Sequence, residues 1–191
     1  MFCCSVTHKL FFWILWLTLS ADVLAQKFNL FEIENDELVW RCTYLYDGPQ
    51  DSLRREVVSM LKSKIFTQNV VRNELGYNGE IRHYQVDCQR YGRKYNNTPL
   101  IYWSGEWKGK FVVEMAEQGY RVTIYGLYFE NEPQQVSRHQ SKATRKGFYK
   151  NEVWKRGEPT FRKKKLDDMI LMSTSLRDAF DIRQYNSPIK D

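Results

Sequence analysis

Asp87-Cys88-Gln89-Arg90-Tyr91-Gly92-Arg93-Lys94 lies near the middle of the chain and gathers a turn glycine, an aromatic, three basic side chains and a cysteine. A guanidinium is a rigid fork of donors, so an arginine held at a glycine-loosened strand start is a good grip for a phosphate. The same composition also makes an ordinary solvated hairpin. The features on either side decide between the two.

Upstream, residues 28–34 alternate weakly and read as a strand, and Asn35-Asp36 is a turn signal. Residues 38–46 are aromatic and β-branched and read as a second strand, which Asp47-Gly48-Pro49-Gln50 breaks. Asp51 or Ser52 then caps a helix to Lys64, with Leu53, Val57, Met60 and Leu61 on one apolar face and Arg54, Arg55 and Lys62 solvated outside it. Residues 65–75 and 81–86 read as strands around a turn at 76–79. Downstream, residues 99–103 read as a strand and 104–109 as a hairpin connection. Phe111, Val112, Met115 and Ala116 share a face of a short helix over 111–118, stopped by Gly119. A strand follows over 120–128. A helix after Glu132-Pro133 runs to about Lys146, with Val136, Ala143 and His139 inward, and Phe148, Tyr149 and Trp154 pack its end back.

Strands interleaved with few helices give an α+β class, mainly β, and an OB-like barrel is the natural candidate. Residues 26–154 are its expected extent. From Lys155 the composition shifts to a basic C-terminal extension, 155–191, with the run Phe161-Arg162-Lys163-Lys164-Lys165. An amphipathic helix follows through Leu166, Met169, Ile170, Met172, Leu176 and Phe180.

The N-terminus reads as a secretory leader over residues 1–25: Lys9, an apolar run at 10–19, then Val23-Leu24-Ala25 as the cleavage site. An uncleaved signal anchor is the rival reading. The mature chain is expected to be secreted or periplasmic, monomeric and free of the membrane. Of four cysteines, Cys42 and Cys88 would remain, and in an oxidising compartment they most simply pair as a disulfide. A net charge of +6 with 15% aromatic residues fits a partner that is anionic and stackable, such as nucleic acid. His83 and His139 are the mature chain's histidines, and without a Cys-x-x-Cys they make a poor transition-metal set.

Four segments, in order, resemble the staphylococcal-nuclease-like (thermonuclease) family. Trp40-Arg41-Cys42-Thr43-Tyr44-Leu45-Tyr46-Asp47-Gly48-Pro49-Gln50 resembles its F-R-L-x-x-x-D-T/A-P-E strand, and the central stretch resembles its D-x-Y-G-R. Gly109-Lys110-Phe111-Val112-Val113-Glu114-Met115-Ala116-Glu117-Gln118-Gly119-Tyr120 resembles its G-x-x-V-N helix, and Ser141-Lys142-Ala143-Thr144-Arg145-Lys146-Gly147-Phe148-Tyr149 its closing motif. The resemblance implies a five-stranded OB-type barrel with three helices and cleavage of phosphodiesters around a calcium ion. It places Arg41 and Arg93 on the transferring phosphate, where paired guanidiniums stabilise developing charge. It makes Asp47 a metal ligand and sets Gln50 where the family has the glutamate that activates water. An amide takes no proton at neutral pH, so Gln50 would only position the water. The family's upstream D-G-D-T loop, which supplies a second metal carboxylate, has no counterpart here.

Three functions follow. The first is a nuclease-like protein, weakened or inactive in cleavage, that binds single-stranded DNA, RNA or another polyanion. Arg41, Arg93, Arg90, Lys94 and the basic run would supply charge, and Tyr125 and Tyr128 would stack on bases. The second is an active calcium-dependent nuclease with a rearranged site. The third is a protein-interaction module that keeps only the barrel. Arg41, Asp47 and Arg93 should converge within a phosphate's reach if the nuclease-type phosphate site is kept; a dispersed basic patch with Arg41 and Arg93 far apart would favour the third.

Overall fold

A computed structural model of the chain describes residues 27–131, 146–158 and 160–186. The expected leader lies outside these residues. So does the helix expected after Glu132-Pro133, with His139, save for Lys146.

The class is α+β. Eight strands form one antiparallel sheet: β1 (Lys27–Phe28), β2 (Phe31–Glu34), β3 (Glu37–Leu45), β4 (Thr67–Arg72), β5 (Gly76–Tyr84), β6 (Gly105–Ala116), β7 (Gly119–Asn131) and β8 (Lys146–Phe148). Their order is β1-β2-β3-β7-β6-β5-β4, with β8 also paired to β7. The sheet is an open path ending at β1 and β4, where the resemblance implies five strands closed into a barrel.

Among the described residues five α-helices accompany it: α1 (Gln50–Ser63), α2 (Leu100–Trp103), α3 (Tyr149–Val153), α4 (Leu166–Ala179) and α5 (Ile182–Asn186). Period-2 alternation sends Leu38, Trp40, Cys42 and Tyr44 of β3 to a buried face, together with Phe111 and Val113 of β6 and Tyr120, Val122 and Ile124 of β7. The expected stripe of α1 packs against them, with Leu53, Val57, Met60 and Leu61 fully buried. Its start differs from expectation: Pro49 sits at the cap with no side-chain cap bond, and Asp51 lies in the first turn, where a carboxylate favours the helix dipole.

α4 covers the same face. Met169, Met172 and Leu176 are fully buried, so the segment read as an extension supplies part of the single core. Polar-tipped aromatics bolt it down. Trp40 Nε1 donates to Ser173 Oγ at 3.1 Å, Tyr44 OH to the Arg177 carbonyl at 2.8 Å, and Tyr120 OH to the Phe180 carbonyl at 2.7 Å. Tyr84 OH and Ser175 Oγ share a bond of 2.5 Å. A buried tyrosine or tryptophan needs a partner for its polar end, and α4 or the residue that caps it provides one at each contact. Much of the aromatic content read as a stacking surface is therefore core.

The short helix expected over 111–118 is the second half of β6. Phe111 and Val113 point inward between outward Lys110, Val112 and Glu114, a strand alternation. Gly119 does not cap a helix. It opens β7 with φ 145°, and a Cβ there would collide with the Tyr44 carbonyl of β3. The strand expected at 99–103 is the helical turn α2, which begins directly after Pro99.

Candidate functional site

The central stretch is a loop, and it clasps the C-terminal helices. Asp87 Oδ1 accepts from Arg90 N at 3.0 Å and Gly92 takes φ 66°, which turns the chain sharply. Tyr91 OH donates to Asp178 Oδ2 at 3.1 Å, and Arg90 Nη2 reaches Gln184 Oε1 at 3.2 Å and Asp178 Oδ2 at 3.4 Å. Burial, with Asp178 alongside, pushes the Tyr91 hydroxyl up to about 12. Arg93 Nη2 donates to the Asp167 carbonyl at 2.6 Å, and Lys94 is exposed.

Arg41 and Arg93 do not converge. Arg93 is tied to α4 on the helix-covered side. Arg41 follows the inward Trp40 and so points from the opposite face of the sheet. There it bonds Glu32 Oε1, Glu34 Oε1 at 2.8 Å and Glu34 Oε2 at 3.1 Å. The hydrogen bond from Arg41 holds the Glu34 carboxyl below its usual value, and Glu34 in turn holds Arg41 firmly charged. A guanidinium shared between two carboxylates has little left for a phosphate.

Gln50 is also occupied. Its Nε2 donates to the carbonyls of Ala116 and Glu117, each at 2.6 Å, which ties the start of α1 to the β6–β7 turn. Asp47 is exposed on the loop before α1. Among the described residues no group of three or more His, Cys, Asp or Glu side chains is placed to hold a metal. Calcium takes six to eight oxygens, of which Asp47 would supply one or two. Cys42 and Cys88 are free thiols, each buried. Cys42 sits on the sheet, whereas Cys88 Sγ faces the Tyr102 carbonyl at 3.4 Å, so the expected disulfide is not formed. Burial raises both thiols above their ordinary pKa.

Tyr125 and Tyr128 are brought together. Three residues apart, they would face opposite ways in a regular strand. Between Lys108 and Lys110 the β6–β7 register shifts, and β7 carries an extra residue at Gly126, φ 62°. Both tyrosines therefore turn to the face away from the helices. β5 bulges at the same level: the register shifts between Ile81 and Tyr84, and His83 takes φ 55°. That turns both Arg82 and His83 outward. The paired bulges frame an open depression of ≈ 580 Å³, lined by these four residues with Lys108, Lys110 and Phe148 among others. Its size falls in the range of roughly 300–1,000 Å³ typical of ligand sites.

The aromatic side of this depression is exposed. Phe148, paired in register with Tyr128, keeps 57% of its surface in solvent. The two rings lie 5.9 Å apart, and Lys108 Nζ sits 5.9 Å from the Tyr128 ring centre. Most cations here have partners. Lys108 and Lys146 bond Glu130 at 2.8 and 2.9 Å, Arg82 Nε bonds Glu80 at 2.8 Å, and His83 Nδ1 meets Glu106 at 2.7 Å. The lysine bonds, Lys108 first, hold the Glu130 carboxyl below its usual value. Lys110, facing Tyr125 in register, is exposed and makes no ion pair among the described residues. Lys108 and Lys110 are not among the site residues expected from the sequence, and the alternation from Trp107 to Val113 is their signal; Phe148, expected to pack a helix end, is largely exposed instead.

No family model and no curated protein matches the chain. A solved structure that does match is that of a TBP-like protein from Parabacteroides distasonis, 11% identical, covering 81% of this chain and 97% of that one at a TM-score of 0.47. Among the described residues no helix is long and apolar enough to cross a membrane.

Proposed function

We propose that the protein is a non-catalytic, monomeric module that binds single-stranded nucleic acid on the open face of its sheet, after export directed by its leader. One observation supports this above the rest: Phe148, Tyr128 and Tyr125 stand beside Lys110 on one outward sheet surface, whereas most of the other large aromatics among the described residues are buried in the core or packed partly against it. Bases stack on exposed rings at about 1–3 kcal/mol each, and a nearby lysine meets the backbone. The geometry supports binding over cleavage because the groups expected at a reacting phosphate lie on opposite faces or hold internal bonds.

Anisotropy of a labelled single-stranded oligonucleotide tests it. With Lys110 and Arg82 as the phosphate contacts, the plot of log K against log salt should slope about −0.7 to −1.4, since each neutralised phosphate on a single strand contributes about −0.7. Affinity should fall on Phe148→Ala. Absence of binding at low salt would remove the reading.

A second reading, a protein-interaction module, is favoured by β4. It is an edge strand, and Ile65, Val71 and Leu75 in and beside it are 92%, 58% and 66% exposed. A partner strand pairing there would protect β4 amides from exchange, whereas the oligonucleotide would not.

A further inference from the structure

Most cations of the sheet-face depression have carboxylate partners, whereas a group of three arginines elsewhere has none among the described residues. Arg54 and Arg55 leave the first turns of α1, and Arg72 ends β4. With Tyr77 and Ser59 they line a second open depression of ≈ 630 Å³, to which Asp51 brings one carboxylate. Glu74 lines a smaller depression that adjoins Arg54 and Arg72. None of the three arginines forms an ion pair among the described residues, whereas Arg41, Arg82, Arg121 and Arg183 each hold a carboxylate. Arg55 Nη2 donates only to Ser52 Oγ, at 3.3 Å.

The scaffold beneath is fixed. Leu53 and Val57, on the opposite side of α1, are fully buried. Arg72 pairs in register with Tyr77, so an aromatic ring walls the depression. The turn after Arg72 is pinned: Asn73 Oδ1 accepts from Leu75 N at 3.0 Å and from Gly76 N at 2.7 Å. Gly76 lies so close to β6 that a Cβ would collide with the Val113 carbonyl. Three like charges held together repel one another, and a bound anion relieves that repulsion while using the planar donor forks.

We propose that this depression is a binding site for a tetrahedral oxyanion, a phosphate group either free or esterified. It shares no lining residue with the aromatic depression, so it stands or falls separately from the function proposed above.

The test uses the full chain, melted in rising inorganic phosphate at ionic strength held constant with sodium chloride. Phosphate should raise Tm saturably, as a ligand bound only to the folded state does. Arg72→Gln should weaken phosphate by about tenfold and Arg54→Gln/Arg72→Gln by about a hundredfold, the loss expected for charge-assisted hydrogen bonds. Phe148→Ala should leave phosphate binding unchanged. A wild-type Tm that follows ionic strength alone, or a double variant that binds phosphate as well as wild type, overturns the site. Competition then separates the sources. Displacement of phosphate by a single-stranded oligonucleotide assigns the groove to backbone phosphodiesters. Retention of phosphate in its presence assigns it to free phosphate or a phosphomonoester. Either result supports an oxyanion site.

Discussion

Gln50→Glu restores the carboxylate that the thermonuclease resemblance expects, and so sets a catalytic role against a structural one. In the fold the Gln50 amide donates to two carbonyl oxygens at 2.6 Å. A carboxylate can only accept, so both bonds are lost and a negative charge faces two carbonyl dipoles. Two such bonds contribute about 1–3 kcal/mol together. An acid in the first turn of α1 regains about 0.3–1 kcal/mol from the helix dipole. The net expectation is a loss of about 1–2 kcal/mol, or about 2–8 °C in Tm for a chain of this size. The sign with pH is fixed. Facing carbonyls, the introduced carboxyl has a folded pKa above its unfolded value, because the protonated form donates. The penalty is present at neutral pH and fades as pH falls through that raised pKa. Urea denaturation at pH 7 and pH 4 measures both. A variant as stable as wild type at pH 7 that also cleaves DNA with calcium would refute the structural assignment of Gln50.

Other outcomes follow from the same contacts. Arg41→Ala leaves Glu32 and Glu34 side by side without a cation and should cost about 1–2 kcal/mol, with oligonucleotide affinity unchanged; urea titration and anisotropy read the two effects. Because Glu34 is held below its usual pKa, the wild-type advantage over this variant is present above its unfolded pKa and is lost as pH falls below it. Leu176→Ala should cost about 2–5 kcal/mol by opening a cavity under α4, which chemical denaturation reads directly. Peptide mapping after alkylation in denaturant without reductant should find Cys42 and Cys88 modified separately; a cross-linked peptide would contradict the free thiols. Burial raises both thiols, so native stability should decline as pH climbs past the ordinary thiol range, seen as a falling urea midpoint.

The elements most legible in the sequence were those with a single unambiguous period. The α1 stripe and the α4 helix were read nearly to the residue, because four or more apolar positions recur at helical spacing. Residues 111–118 misled because Phe111, Val112, Met115 and Ala116 satisfy a helical face as well as a strand. The strand won because it pairs on both sides, with β7 across the tight turn at 117–118 and with β5, whose partners lie some thirty residues away. The eight-stranded order was out of reach for the same reason. Among the candidate residues, Tyr125 and Tyr128 belong to the depression through a bulge at Gly126 that sequence spacing alone opposes. Arg41 carried no local sign that Glu32 and Glu34, one strand away, would absorb its charge. The aromatic richness was visible, but which rings face α4 and which face solvent depends on the pleat.

The central claim is that the outward aromatic surface of β7 and β8, with Lys110, is where a single strand lies. Amide chemical-shift mapping of the full chain during titration with a single-stranded oligonucleotide tests it most directly. The account predicts that the perturbed amides centre on Lys108 and Lys110 of β6, Tyr125 and Tyr128 of β7, and Phe148 of β8. Shifts centred instead on the loop from Asp87 to Lys94 and on Asp47, with the β6–β7 bulge unmoved, would contradict it.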